Sequence, residues 1–114
     1  MKYEFTLDIQ TKSEMNERCH HLARWARLRD HRTVAWATLL NKTPELPVVV
    51  TMTRLSPGTL DSHDNLRSAL KGVVDGIADA LGVDDADPRV TWKYAQEKCE
   101  RGTHQVRVEI ERTE

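Results

Sequence analysis

Residues Val48–Gly82 read VVVTMTRLSPGTLDSHDNLRSALKGVVDGIADALG. The first eight, Val48 to Leu55, are dominated by β-branched and apolar side chains and have the length of a strand. Pro57-Gly58 marks a turn. From about Ser62 to Leu81 the period changes: Leu66, Leu70, Val73, Ile77 and Leu81 recur at helical spacing, and Gly82 follows as a C-cap. One strand, one turn and one amphipathic helix in immediate succession predict a sheet with helices packed on it.

On the C-terminal side, Asp84-Asp85-Ala86-Asp87-Pro88 is an acidic loop. Two strands follow, Arg89 to Lys98 and His104 to Arg112. Arg101-Gly102 between them reads as hairpin chemistry. Val90, Trp92 and Tyr94 share one face of the first strand, with Trp92 expected in the core. Val106, Val108 and Ile110 do the same on the second.

On the N-terminal side, Lys2 to Gln10 alternates. Tyr3, Phe5, Leu7 and Ile9 point one way, which predicts a half-buried strand. Ser13 to Asn41 holds no Gly or Pro and is rich in Ala, Leu, Arg and Glu, hence largely helical, with a break or a second helix expected near Arg29 to Thr33. Trp25, Trp36 and Leu40 read as core or dimer contacts ahead of base-stacking platforms. The resulting order is β-α-β-α-β-β: an α/β (α+β) fold, a mixed sheet with two main helices, and a single domain over residues 1–114.

Composition sets outer limits. With 39% hydrophobic and 31% charged residues, the chain reads as globular. A net charge of −1 excludes inferring nucleic-acid binding from global charge. No apolar run approaches the roughly 20 residues of a membrane helix. Cys19 and Cys99 lie far apart without a CxxC, which favours a reduced, cytoplasmic setting over a disulfide framework or a zinc site.

The chemistry concentrates in Leu60-Asp61-Ser62-His63-Asp64-Asn65-Leu66 and in Asp84-Asp85. At 100° per residue, Lys71 and Asp75 each fall within about 20° of Asp64 on a helix. Asp61, at the helix start, lies near the same face. Carboxylates from separate elements suit magnesium, a hard cation that takes oxygen ligands. A lysine beside them offsets charge on a phosphate. The plain alternative stands alongside: capping aspartates, an i,i+4 ion pair between Lys71 and Asp75, and a polar turn.

Asp64-Asn65-Leu66, Lys71 with Asp75 four residues on, Gly82 and Asp84-Asp85 together resemble the RusA family of Holliday-junction resolvases, endodeoxyribonucleases of phages and prophages. The likeness is strongest over Val48 to Ile110. It implies a RusA-like fold, a homodimer, and paired cleavage of four-way junctions with magnesium, or manganese in its place. It implies no membrane and no small-molecule cofactor, and a bacterial or phage-infected cytoplasm. Asp61, Asp64 and Asp85 would bind metal, with Asp84 as an additional ligand and Lys71 as the functional lysine. Two departures are plain. Ser62 occupies the position of the first motif aspartate, one residue after Asp61, and Lys71 lies seven residues after Asp64 where the family pattern has four. The rivals are a DNA-junction-binding relative without nuclease activity and a phage interaction or structural protein.

Between Lys12 and Lys42 seven Lys or Arg residues face three Asp or Glu. This is a candidate phosphate-tracking surface. His20, Arg24, Arg27 and Arg32 are its preferred contacts, with Arg54 at a strand end near the acidic motif.

Overall fold

The computed structural model describes residues 2–10, 21–39, 44–58 and 65–113. The elements are β1 (Lys2–Leu7), α1 (His21–Leu39), β2 (Val48–Ser56), α2 (Asn65–Ala69), α3 (Lys71–Leu81), β3 (Val90–Lys98) and β4 (Gln105–Arg112). They form a mixed α+β domain around one four-stranded sheet of order β1-β4-β2-β3. β2 is parallel to β3 and antiparallel to β4, and β4 is antiparallel to β1.

The alternation expected of the strands sorts them into two faces. Val48, Val50 and Met52 of β2 line up with Ile110 and Val108 of β4 and with Val90 and Trp92 of β3. Tyr3, Phe5 and Leu7 extend the same row through Ile110, Val108 and Val106. This face joins Leu66, Leu70, Val73 and Ile77 in a single core. The opposite face carries charge, including Lys2–Glu109 at 3.1 Å and Arg107–Glu97 at 2.8 Å.

Three local expectations are corrected. The strands flanking Arg101-Gly102 do not pair: β2 lies between them. The turn chemistry is present, with Gly102 at φ 94° and Thr103 N–H donating to Glu100 O at 3.1 Å. The chain uses it to pass the end of β2, where Cys99 N–H meets Ser56 O at 2.9 Å. The apolar β2 thus gains a hydrogen-bonded neighbour on each edge.

The helix expected over Ser62 to Leu81 is divided at Leu70, whose φ −99° and ψ 3° leave the α-helical region. Leu70 N–H is shared between Leu66 O and Arg67 O, both at 3.2 Å. The bend keeps Leu66 and Leu70 in the core while α3 turns its glycines toward α1.

The break expected in α1 near Arg29 to Thr33 does not occur. α1 runs unbroken from His21 to Leu39, because its buried row of His31, Ala35 and Leu39 keeps the i,i+4 period through that stretch. Its contact with α3 is intimate. A Cβ at Gly72 would sit 2.6 Å from His31 Cβ, and one at Gly76 would overlap Arg32 O and approach Ala35 Cβ to 2.8 Å. The absent side chains are what let the two helices touch.

Trp25 and Trp36 are not core residues: they are 63% and 40% exposed. Trp92 packs against the core as expected. Leu40 lies outside the described residues. No helix among the described residues is long and apolar enough to cross a membrane.

Candidate functional site

The loop after α3 is made of consecutive aspartate turns. Gly82 ends the helix at φ 74°, and Val83 N–H returns to Ala78 O at 3.0 Å. Asp84 Oδ1 then accepts the Ala86 N–H at 3.0 Å. Asp87 Oδ1 accepts the Arg89 N–H at 2.9 Å, and Asp87 Oδ2 takes the Arg89 guanidinium at 2.8 Å. Trp92 Nε1 donates to Asp85 O at 2.8 Å, tying residue 85 to β3.

This wiring separates the three aspartates. Arg89 holds the Asp87 carboxyl down at about 2, so Asp87 serves the turn. Asp84 and Asp85, adjacent in the loop, instead shift each other's titration in opposite directions. The Ala86 amide, and then a hydrogen bond with Asp85, lower Asp84. Asp85 is raised, first by the hydrogen bond with Asp84, then by burial and by the charges of Asp84 and Asp75, with Lys71 pulling the other way. Two adjoining carboxyls that push their proton affinities apart titrate as a unit.

The pair opens onto a cleft of about 270 Å³ lined by Arg32, Asp75, Ala78, Asp79, Val83, Asp84 and Asp85. Arg32 grips Asp79 with two hydrogen bonds, Nε to Oδ2 at 2.5 Å and Nη2 to Oδ1 at 2.9 Å. Lys71 Nζ sits 3.6 Å from Asp75 Oδ2. Beyond Arg32 and Asp75 the depression continues as a second cleft of about 280 Å³, with Trp25, Leu28, Arg29 and Lys71 in its walls. A third, of about 240 Å³, adds Thr33 and Trp36. All three are lined by Arg32 and lie along the seam, or furrow, of α1 and α3.

At the other side of the pair, the Arg67 guanidinium stands 5.3 Å from the Tyr94 ring centroid. Burial raises the Tyr94 phenol, Arg67 opposes this, and the Asp85 charge adds to the rise. Arg67 of α2 and the acidic loop thus both rest on aromatic residues of β3.

The expected site residues divide accordingly. Asp84 and Asp85 line one cleft with Asp75, whose carboxylate lies 3.6 Å from Lys71 Nζ. Asp61, Asp64 and His20 lie outside the described residues. Arg24 is in the first turn of α1 and its side chain lies outside them too. Arg27 is half-buried on α1, and Arg32 is in the furrow but engaged with Asp79. Arg54 faces inward: it is 7% exposed, and its Nη1 donates to Gly58 O at 2.9 Å. That placement does not support the phosphate contact expected of it. It makes Arg54 a tie on the chain leading into residues 59–64. Asp79, Trp92 and Arg67 were not anticipated. Asp79 could have been found, since it continues the Lys71, Asp75 face at i+4.

The oxygen chemistry of the pair suits a hard cation. Among the described residues, however, no three His, Cys, Asp or Glu side chains group closely enough to hold a metal ion. A complete site needs a further donor, and residues 59–64 carry Asp61 and Asp64. No protein-family model matches the chain, and no curated protein matches it.

Proposed function

We propose that this protein is a magnesium-dependent endonuclease acting on branched DNA, in the manner of the RusA resolvases its motifs resemble. The observation that carries the reading is the Asp84–Asp85 carboxyl pair, which lines one cleft with Asp75, itself 3.6 Å from Lys71. Asp85 and Asp84 would hold the ion, together with Asp61 and Asp64 from the chain just ahead of α2. Bound there, magnesium would activate water and steady the leaving oxygen of a phosphodiester. The chain's own residues do the rest. Trp92 fixes the Asp85 backbone. Lys71, 58% exposed at its side chain, can exchange Asp75 for a substrate phosphate. Arg29 and Arg32 extend positive charge along the furrow.

A homodimer would set two such sites on opposed strands, as paired cleavage of a junction requires. The reading places the protein in the cytoplasm of a bacterial or phage-infected cell. A second reading, junction binding without cleavage, draws on the turn bonds of Asp84 and Asp87, which an ordinary acidic loop would also make.

The test is cleavage of a synthetic four-way junction against a linear duplex, with and without magnesium, for the native chain, Asp64→Asn and Asp85→Asn. Magnesium-dependent paired nicks on the junction, lost in both variants with binding retained, are expected. Binding without nicks in magnesium or manganese would establish the second reading. Full cleavage by both variants would sink the site.

A further inference from the structure

We infer that the furrow between α1 and α3 seats an unstacked nucleotide, its base against Trp25 and its phosphate between Arg29 and Lys71. The inference rests on the DNA-cutting reading and adds a substrate feature to it.

The first observation is exposure. A tryptophan carries a large apolar ring that folding ordinarily covers, yet Trp25 is 63% exposed and Trp36 40% exposed. Both lie on one row of α1: Trp25, Arg29, Arg32 and Trp36 are spaced i, i+4, i+7 and i+11. Aromatic rings interleaved with guanidinium groups form the kind of platform that single-stranded nucleic acid uses, since every base has a π-face.

The second is charge. The Arg29 guanidinium lies 5.5 Å from the Trp25 ring centroid, which props the ring and places a cation beside it. Its ion pair with Asp30 is stretched to 4.0 Å, and the Arg29 side chain is 60% exposed. Lys71, across the same cleft, is held at 3.6 Å by Asp75. Two loosely engaged cations on the rim of a Leu28-floored cleft complement one phosphate beside one base.

The third is continuity. Asp75 and Arg32 line both this cleft and the one onto which Asp84 and Asp85 open. A nucleotide on Trp25 would lead its strand toward the carboxyl pair. A protein partner would satisfy the ring but would need acids for Arg29 and bases for the neighbouring aspartates. A nucleotide next to a cation-loaded site meets both needs with a single strand.

The experiment uses the full chain in EDTA, so that nothing is cut. Its probes are a short oligothymidylate, a fully paired four-way junction, and a junction carrying two unpaired thymidines at the crossover. Tryptophan fluorescence and Kd are read for the native chain, Trp25→Phe and Trp25→Ala, with sedimentation to follow oligomeric state. Expected are quenching by oligothymidylate that Trp25→Ala loses, and about tenfold weaker binding of the unpaired junction by Trp25→Ala. Trp25→Phe should stay within about threefold of native, since a smaller ring still stacks. Unchanged quenching and Kd in Trp25→Ala, with junction cleavage intact in magnesium, would overturn this inference alone. Loss of binding together with a fall in oligomeric state would overturn it in favour of a contact between copies. No binding of any probe at low salt would overturn both it and the nuclease reading.

Discussion

At the scale of single residues, the functional question is what keeps Asp85 in place. Its carbonyl is anchored by Trp92, an aromatic on the neighbouring strand, so the carboxyl pair inherits the rigidity of the sheet. Trp92→Phe keeps most of the ring and removes the donor. It should lower stability by about 1 kcal/mol in urea unfolding. It should also slow junction cleavage more than it weakens junction binding; equal loss of both would mean the ring matters only to the fold. Asp87 behaves differently. Its carboxyl sits at about 2 beside Arg89, below the roughly 3.9 of an unfolded aspartate. A depressed folded value means the pair's stabilisation is present above pH ~4 and is lost as pH falls toward 2. The Tm difference between native chain and Asp87→Asn should therefore stay flat from pH 5 to 8 and shrink in the acid window. A difference that grew on acidification would refute the pairing. That Asp84, Asp85 and Asp87 share one acidic turn was legible in the sequence, because polar residues before a proline mark a turn. Their division was not, since it depends on Arg89 and Trp92 arriving from β3. Arg54 shows the same limit: nothing local distinguishes a surface arginine at a strand end from one folded back on Gly58 O.

At the scale of elements, the furrow exists because α1 and α3 approach closely, and they do so over Gly72 and Gly76. Gly76→Ala sets two effects against each other. Alanine favours a helix over glycine by about 1 kcal/mol. The new methyl, however, would overlap the Arg32 carbonyl and press on Ala35. Backbone cannot give way as a side-chain tip can, so overpacking of about 1–3 kcal/mol should win and the Tm should fall. Gly58→Ala is the control: nothing among the described residues lies within 4 Å of its Cβ position, and its Tm should hardly move. Equal melting of both variants would show that the helices are not in close register.

The apolar stripe of α2 and α3 could be read from its period, and all of Leu66, Leu70, Val73 and Ile77 are buried. The glycine seam could not, because its meaning comes from His31, Arg32 and Ala35 some forty residues earlier. Nor could the bend at Leu70, since leucine is a good helix former and signals no stop. The expected pairing of β3 with β4, which does not form, has the same origin. Turn residues set how sharply a chain turns, and the most apolar strand, β2, decides what lies between the arms.

At the scale of the whole molecule, a chain of net charge −1 has no general attraction for DNA. On the open sheet face, Lys2 and Arg107 are matched by Glu109 and Glu97. Along the furrow, Arg29, Arg32 and Lys71 are paired as well, with Asp30, Asp79 and Asp75, yet about half or more of each side chain stays exposed. If these three carry the phosphate contacts, counterion release limits the salt dependence of binding. Each neutralised phosphate contributes roughly 0.9 to the slope of log Kd against log salt on duplex DNA, and about 0.7 on a single strand. The junction should then give a slope of about 2 to 3 per protomer, and Arg29→Ala should reduce it by about one. Linear duplex, which cannot enter a furrow built for a displaced strand, should bind more weakly at every salt concentration with a similar or smaller slope. A slope of five or more that Arg29→Ala leaves unchanged would move the phosphate contacts to the basic stretch ahead of Trp25, where Lys12, Arg18 and Arg24 lie in the sequence. The furrow would then be left to position the strand without supplying the affinity.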